Sequence, residues 1–149
     1  MKSLGGLTEE VDYTSGRSVL ISLAEIVCEL AREVYILDAR IATDQIYEAL
    51  RDSRKLFKQF SDTSRNADSI AQLYLAGKIR PSELRKVVSH ILDDLTDSVK
   101  SYLRFRTRYL DKVPNPQIFA RMDAYIKWTL KVLHNIRLNS KAGVVRWNL

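Results

Sequence analysis

The sequence predicts an all-α fold, a four- to five-helix antiparallel bundle with extended N- and C-terminal tails. The chain has 149 residues, enough for one buried core. It contains only five Gly and three Pro, which is too few for the many turns of an all-β fold. Apolar residues recur at spacings of three and four, the period of an amphipathic helix. We therefore divide the chain into an N-terminal arm (residues 1–17), a helical bundle (residues 18–138) and a C-terminal tail (residues 139–149).

The first predicted helix follows Ser15 and carries two neighbouring apolar stripes. One stripe begins at Val19 and ends at Ile41. The second stripe consists of Leu20, Ala24, Val27, Ala31 and Tyr35. A helix that is apolar around more than half of its circumference has to be covered on two sides. The second stripe therefore predicts either a central position in the bundle or contact with another subunit. Cys28 lies in the same apolar run and is expected to be a buried, inert thiol.

Two alternatives remain open after Ile41. Thr43 and Asp44 could cap a second helix that starts at Gln45, or the first helix could continue to Phe60 without a break. Residues 61–64 are all Ser, Asp or Thr, which favour helix caps, so a polar break is predicted there. A short helix is then expected over residues 65–76, ending before Gly77.

Proline marks the start of the two remaining helices. Pro81 is expected in the first turn of a helix that extends to about Lys112. Asn115 is the predicted N-cap and Pro116 the first residue of the last helix. The arm and the tail show neither a helical nor a strand period. If they are ordered, a neighbouring subunit, a ligand or the chain's own domain has to hold them.

Charge is distributed unevenly along the chain. The first fifty residues contain 4 Lys and Arg against 9 Asp and Glu, whereas the last fifty contain 11 against 2. This asymmetry produces a positive field in the C-terminal part, and such a field attracts phosphates. A polyanion is therefore an expected partner. The alternative is a charged surface that only keeps the protein in solution.

Several classes of protein do not fit the sequence. Residues 1–17 lack the apolar segment of a secretory signal, so we expect an intracellular location or one within a virion or nucleoprotein assembly. Residues 19–41 are long enough to cross a bilayer, but charged residues interrupt them at every turn, so no membrane span is expected. The only histidines, His90 and His134, lie in no metal-binding motif, and the chain has no Gly-rich phosphate loop. Neither a metal nor a cofactor is expected.

One short pattern points to a possible enzymatic activity. Arg85 is followed by four residues and then His90. This spacing resembles the motif of the HEPN family, helical-bundle ribonucleases in which the Arg and the His face the scissile phosphate. Lys86 departs from the Asn, Asp or His that is usual at its position. The resemblance implies that Arg85 would stabilise charge on the phosphate and that His90 would act as acid or base. A metal-independent ribonuclease is therefore one alternative function.

Basic residues at helical spacing give the more specific functional signal. Like charges four residues apart destabilise an isolated helix by about 0.2–0.5 kcal/mol per pair, and a bound polyanion would relieve that cost. A helix face of Lys and Arg without a recognition motif predicts contacts with phosphates and not with base edges. The predicted nucleic-acid-binding residues are Arg51, Lys55, Lys100, Arg104, Arg108, Lys127 and Lys131.

Together these patterns predict a non-enzymatic subunit that coats nucleic acid and self-associates through the second stripe of the first helix and the tails. In size, helicity and charge, the chain is similar to coat proteins of filamentous archaeal viruses and to small helical subunits of CRISPR effector complexes. A different alternative is a helical adaptor, or an inhibitor of a nucleic-acid enzyme, whose basic faces dock on an acidic protein. The sequence leaves open whether the polymer is DNA or RNA, and whether it is single or double stranded.

Overall fold

A computed structural model of the chain describes residues 3–4, 7–8 and 11–147. Four long helices make up most of it, so the predicted all-helical fold is confirmed. The helices are α1 (Gly16–Thr43), α2 (Tyr47–Leu75), α3 (Pro81–Tyr109) and α4 (Ala120–Lys141), and a 3-10 turn (Pro116–Phe119) precedes α4. Two short strands, β1 (Ser3–Leu4) and β2 (Leu7–Thr8), pair antiparallel within the predicted N-terminal arm. The other residues of that arm before Val11, and the last two of the C-terminal tail, lie outside the described residues.

Contacts between consecutive helices show that each runs opposite to the one before it. Tyr35 of α1 packs its ring against Phe57 of α2, with 5.5 Å between the ring centroids. In the buried interior, the hydroxyl oxygens of Thr63 on α2 and Ser98 on α3 lie 3.2 Å apart. The hydroxyl of Tyr102 on α3 donates to Asp123 at the start of α4. Tyr109 at the end of α3 also donates to Asp52 near the start of α2. In each pair of consecutive helices, the second half of one contacts the first half of the other, so the chain runs up, down, up and down.

Helix α1 is the central helix of the bundle, since it contacts α2, α3 and α4. This explains its second apolar stripe. Leu20 and Val27 are completely buried inside the chain itself, and among the stripe's members only Tyr35 is exposed. Apart from Tyr35, the stripe is therefore not available as the self-association surface predicted from the sequence. The prediction for Cys28 is also wrong, because its side chain is exposed in a shallow groove between α1 and α2.

A turn at residues 44–46 separates α1 from α2, so the chain has two helices here. The predicted start and caps are wrong, because α2 begins at Tyr47, and Thr43 and Asp44 instead bond Ala39 and Arg40 of α1. Gln45 has a positive φ of 59°, in the left-handed region. Its N–H bonds the carbonyl of Ala42, and the N–H of Ile46 bonds the carbonyl of Ile41. This bond pattern ends a helix by satisfying its last carbonyl groups, and Gly usually occupies the left-handed position. The same pattern ends α2 at Gly77, as the sequence predicts.

The predicted break at residues 61–64 is wrong, because α2 continues through it to Leu75. The polar side chains find partners without leaving the helix. Thr63 donates its hydroxyl to the carbonyl of Gln59, one turn earlier, and Asp62 pairs with Lys58 at 2.9 Å and with Arg65. With these partners and no Gly or Pro in the segment, nothing forces the backbone out of the helical conformation.

The predicted starts of α3 and of the last helical segment are confirmed. Pro81 is the first residue of α3. The Asn115 side chain accepts a hydrogen bond from the N–H of Gln117 at 3.0 Å, and Pro116 opens the 3-10 turn that leads into α4. Helix α3 ends at Tyr109, three residues before the predicted position.

The described parts of the arm and the tail pair with each other. The N–H of Gly16 donates to the carbonyl of Arg146 at 2.9 Å, and the N–H of Arg146 donates to the carbonyl of Thr14 at 2.8 Å. Trp147 packs closely against Gly16, which has no side chain in the way. The chain's own domain therefore holds both segments.

Candidate functional site

An open groove between α2 and α3 brings together three of the predicted binding residues. Lys55 of α2 and Arg104 and Arg108 of α3 line this groove, which has a volume of about 420 Å³. Gln59 and Ser101 add neutral polar groups to its walls. All three cationic side chains are exposed. Since α2 and α3 are antiparallel, residues far apart in sequence form one positively charged surface, called here the α2/α3 groove.

Two further predicted residues lie beside the α2/α3 groove. Arg51 precedes Lys55 by one turn of α2, and Lys100 precedes Arg104 by one turn of α3. Both are exposed, and within the described chain neither has a carboxylate in ion-pair contact. Lys55 is likewise without such a partner, while Arg104 donates to the hydroxyl of Ser101 at 3.1 Å. These cations are therefore available to an anionic ligand.

One carboxylate, Asp52, lies inside the α2/α3 groove and was not predicted. Its Oδ2 accepts a hydrogen bond from the Tyr109 hydroxyl and lies 3.4 Å from Nη1 of Arg108. Burial, together with the hydrogen bond to Asp52, raises the pKa of Tyr109, so the hydroxyl remains a donor. Asp52 thus offsets part of the charge of Arg108. Because the two partners are more than fifty residues apart, no local sequence signal reveals the contact.

The aromatic side chains near the basic residues belong to the core. Phe105 and Tyr109 are 6% and 3% exposed, and their ring centroids lie 4.9 Å apart. Phe105 also contacts Phe119 edge to face. A base cannot stack on rings that are buried in the protein. The α2/α3 groove therefore presents charged and polar groups to a ligand, which suits phosphates better than bases.

The remaining two predicted residues, Lys127 and Lys131, lie apart from the α2/α3 groove. Both are exposed on α4, one turn from each other, and neither lines the groove. The predicted set therefore divides into five residues on α2 and α3 and a separate pair on α4.

Arg85 and His90, the residues of the ribonuclease-like pattern, share a second open groove. It lies along the first half of α3, is also lined by Lys86 and by Ile70 of α2, and has a volume of about 700 Å³. The side chains of both Arg85 and His90 are exposed, and His90 Nε2 lies 3.6 Å from Oδ2 of Asp94.

Within residues 11–147, His, Cys, Asp and Glu side chains form no group of three or more that could hold a metal ion. None of the helices described is both long and apolar enough to cross a membrane. Comparison of the chain with protein-family models, curated proteins and solved structures finds no match.

Proposed function

We propose that this chain is a non-enzymatic subunit that coats nucleic acid, either inside the cell or within a virion or nucleoprotein particle, by contacting the phosphate backbone. The observation that carries the proposal is the α2/α3 groove, where Lys55, Arg104 and Arg108 from two helices meet. Arg51 and Lys100 extend the same positive surface. Lys127 and Lys131 on α4 would be a second, separate contact.

The physical argument is electrostatic. Five cations on two adjacent helices repel one another, and Asp52 offsets only part of that charge. A row of phosphates placed along the α2/α3 groove would replace this repulsion with attraction and release counterions. Such binding depends strongly on salt and little on sequence.

A salt titration of binding to labelled duplex DNA and to single-stranded RNA tests the proposal. Two charge-matched variants are compared, Lys55→Gln/Arg104→Gln in the groove and Lys127→Gln/Lys131→Gln on α4. If the groove residues each contact one phosphate, the groove variant lowers the slope of log K against log salt by about 1.8 on duplex DNA or about 1.4 on a single strand. The α4 variant shows how much the second pair adds.

Two outcomes would overturn this proposal. A groove variant whose salt slope equals that of the unaltered chain would mean that the α2/α3 groove contacts no phosphate. Absence of binding to either polymer at low salt would remove nucleic acid as the partner, and the basic surface would then point to an acidic protein, as expected for an adaptor or inhibitor.

Self-association is the second part of the proposal. Leu20 and Val27 are buried within the chain, so copies would meet through Tyr35, the member of the second stripe that is 57% exposed. Light scattering on the titrated samples measures the growth of large particles. Tyr35→Ser is expected to reduce that growth while leaving the affinity of single copies unchanged. If particles on long DNA do not grow as protein is added, the protein does not self-associate along the DNA, and coating is contradicted.

A metal-independent ribonuclease is the second candidate, because Arg85 and His90 line one open groove. In this hypothesis Arg85 stabilises charge on the phosphate and His90 transfers a proton. RNA incubated with the protein would become shorter, and His90→Ala would abolish the shortening while leaving binding in the α2/α3 groove intact. RNA that keeps its length with the unaltered protein would eliminate this candidate.

A further inference from the structure

A smaller pocket lies at the opposite end of α3 from the α2/α3 groove. It forms where the start of α3 meets the end of α4 and the C-terminal segment, and its volume is about 270 Å³. Three cationic side chains line it, Arg85 from α3 and Arg137 and Lys141 from α4. Ser89 and Ser140 add hydroxyl groups. Cations and hydroxyl donors from two helices around one concave space are the groups that bind phosphate oxygens.

The charges around this pocket are not balanced by protein carboxylates. Asp93 is the one carboxylate in the lining. Its Oδ1 lies 3.9 Å from Nη2 of Arg137, and its side chain is 74% exposed. Arg85 and Lys141 have no ion-pair partner within the described part of the chain. Three cations and one carboxylate leave a net charge of +2, which matches the charge of about −1.5 to −2 that a phosphate monoester carries near neutral pH.

Two of the lining groups are held in place before any ligand binds. Arg137 donates from Nη2 to the Thr96 hydroxyl at 2.7 Å, which fixes the position of its guanidinium. Trp147 lines the pocket and is positioned by the backbone pairing of Arg146 with Thr14 and Gly16. Groups that are already oriented lose less entropy when they bind a ligand.

The negative end of the α4 dipole does not oppose an anion strongly here. The last turn of α4 ends with backbone bonds from the N–H groups of Ala142, Gly143 and Val144 to the carbonyls of Leu138, Ser140 and Asn139. These bonds satisfy the carbonyl groups that would otherwise repel a phosphate. Lys141 adds a positive charge at the same position.

We propose that this pocket binds a phosphate monoester, with Arg85, Arg137 and Lys141 as its charge partners and the two serine hydroxyls as donors. The organic part of the ligand packs against the apolar residues of the lining, which are Val88, Leu92, Ile136 and Trp147. The ligand is a mononucleotide or the terminal phosphate of a nucleic-acid strand. The site is separate from the α2/α3 groove, so it does not depend on the coating function.

Fluorescence of Trp147 provides a direct measurement. The chain contains two Trp residues, and Trp128→Phe leaves Trp147 as the sole reporter. Adenosine monophosphate and inorganic phosphate are titrated, with adenosine as the ligand that lacks a phosphate. We expect a saturable change with adenosine monophosphate and none with adenosine. Circular dichroism confirms that the Trp128→Phe chain is folded, and calorimetry on the unaltered chain repeats the titration without any substitution.

A matched pair of variants separates the pocket from general charge attraction. Arg85→Gln/Lys141→Gln is expected to weaken adenosine monophosphate binding about tenfold or more, because each cation makes a charge-assisted hydrogen bond. Lys127→Gln/Lys131→Gln removes the same charge elsewhere and should leave the affinity within about twofold. Failure of adenosine monophosphate to bind, or equal weakening by both variants, would overturn the proposal.

Two further experiments identify the source of the phosphate and test the two proposals independently. An oligonucleotide with a 5′-phosphate is compared with one that has a 5′-hydroxyl. If the chain prefers the phosphorylated end and Arg85→Gln/Lys141→Gln abolishes that preference, the pocket binds strand ends. If the chain binds adenosine monophosphate but shows no such preference, the pocket is a nucleotide site. Lys55→Gln/Arg104→Gln should lose duplex affinity and keep adenosine monophosphate binding, so either proposal can fail without the other.

Discussion

Gly16→Ala tests how closely the C-terminal segment packs on the start of α1. A Cβ atom at this position would lie 2.7 Å from Cε3 of Trp147, 3.0 Å from Cδ2 of Leu84 and 3.2 Å from the carbonyl oxygen of Arg146. Carbon atoms in contact normally stay about 3.5–4.0 Å apart, so the indole has to move by about 1 Å. Overpacking of this kind costs about 1–3 kcal/mol.

The expected sign is opposite to that of an ordinary helix position, where Ala is more stable than Gly by about 0.5–1 kcal/mol. We expect Gly16→Ala to lower the free energy of unfolding by about 1–2 kcal/mol, or Tm by about 2–8 °C. Urea unfolding followed by circular dichroism measures the change. In a Trp147→Ala background the penalty should shrink, because the nearest clashing atom is gone. A Gly16→Ala chain that is more stable than the unaltered one would refute this packing.

Three other substitutions test features of the core and the turns. Gln45→Gly should raise stability by about 0.5–1 kcal/mol in thermal unfolding, because Gln45 has a positive φ of 59° that Gly adopts without strain. Arg121→Leu should cost about 3 kcal/mol in urea, because it leaves the carboxylate of Glu33, only 3% exposed, without its bidentate partner. Adding Glu33→Leu should restore most of that loss, and a double variant as unstable as the single would contradict this reasoning. Burial and a hydrogen bond to Asp123 raise the pKa of Tyr102 above its ordinary 10.0, so the folded chain holds this proton more tightly than the unfolded chain. The free energy of unfolding should therefore fall above about pH 10, by up to about 1.4 kcal/mol per pH unit from this group. Urea unfolding across that pH range should show a shallower fall for Tyr102→Phe than for the unaltered chain.

The sequence predicted the helices well where a strong local signal marks their ends. Pro81 and the pair Asn115 and Pro116 restrict the backbone or cap it directly, so the start of each helical segment follows from the residues themselves. Gly77 marks the end of α2 in the same way, because it adopts the positive φ that ends the helix. The turn at Gln45 had no such marker, because Gln rarely adopts a positive φ.

Polar residues within a helix misled the prediction when their partners were elsewhere in the chain. Thr63 looks like part of a helix break, yet it faces Ser98 of α3 in the interior. Cys28 looks like a core residue, yet the core-facing side of α1 is formed by Val27 and Leu30 beside it. In both cases the direction of a side chain depends on which helix packs next to it, and a single sequence does not record that.

The sequence predicted the charged residues of the candidate site but not their arrangement in space. Helical spacing identified exposed cations on α2, α3 and α4 correctly as surface residues. Which of them share a groove depends on the pairing of α2 with α3, and so does the contact of Asp52 with Arg108. The pocket lined by Arg137 and Trp147 was missed for the same reason, since it is built from α3, α4 and the C-terminal segment.

The pairing of Gly16 with Arg146 also bears on the order in which the protein folds. The contacts of α1 with α2 and of α2 with α3 join neighbours in the chain and form rapidly, because they close short loops. The bond between Gly16 and Arg146 closes a loop that contains almost the whole chain, and the entropy cost of closure grows with loop length. This pairing is therefore expected to form after the helices have assembled and to open before they separate. The pocket lined by Arg137 and Trp147 would then gain and lose its Trp147 wall while the bundle stays folded.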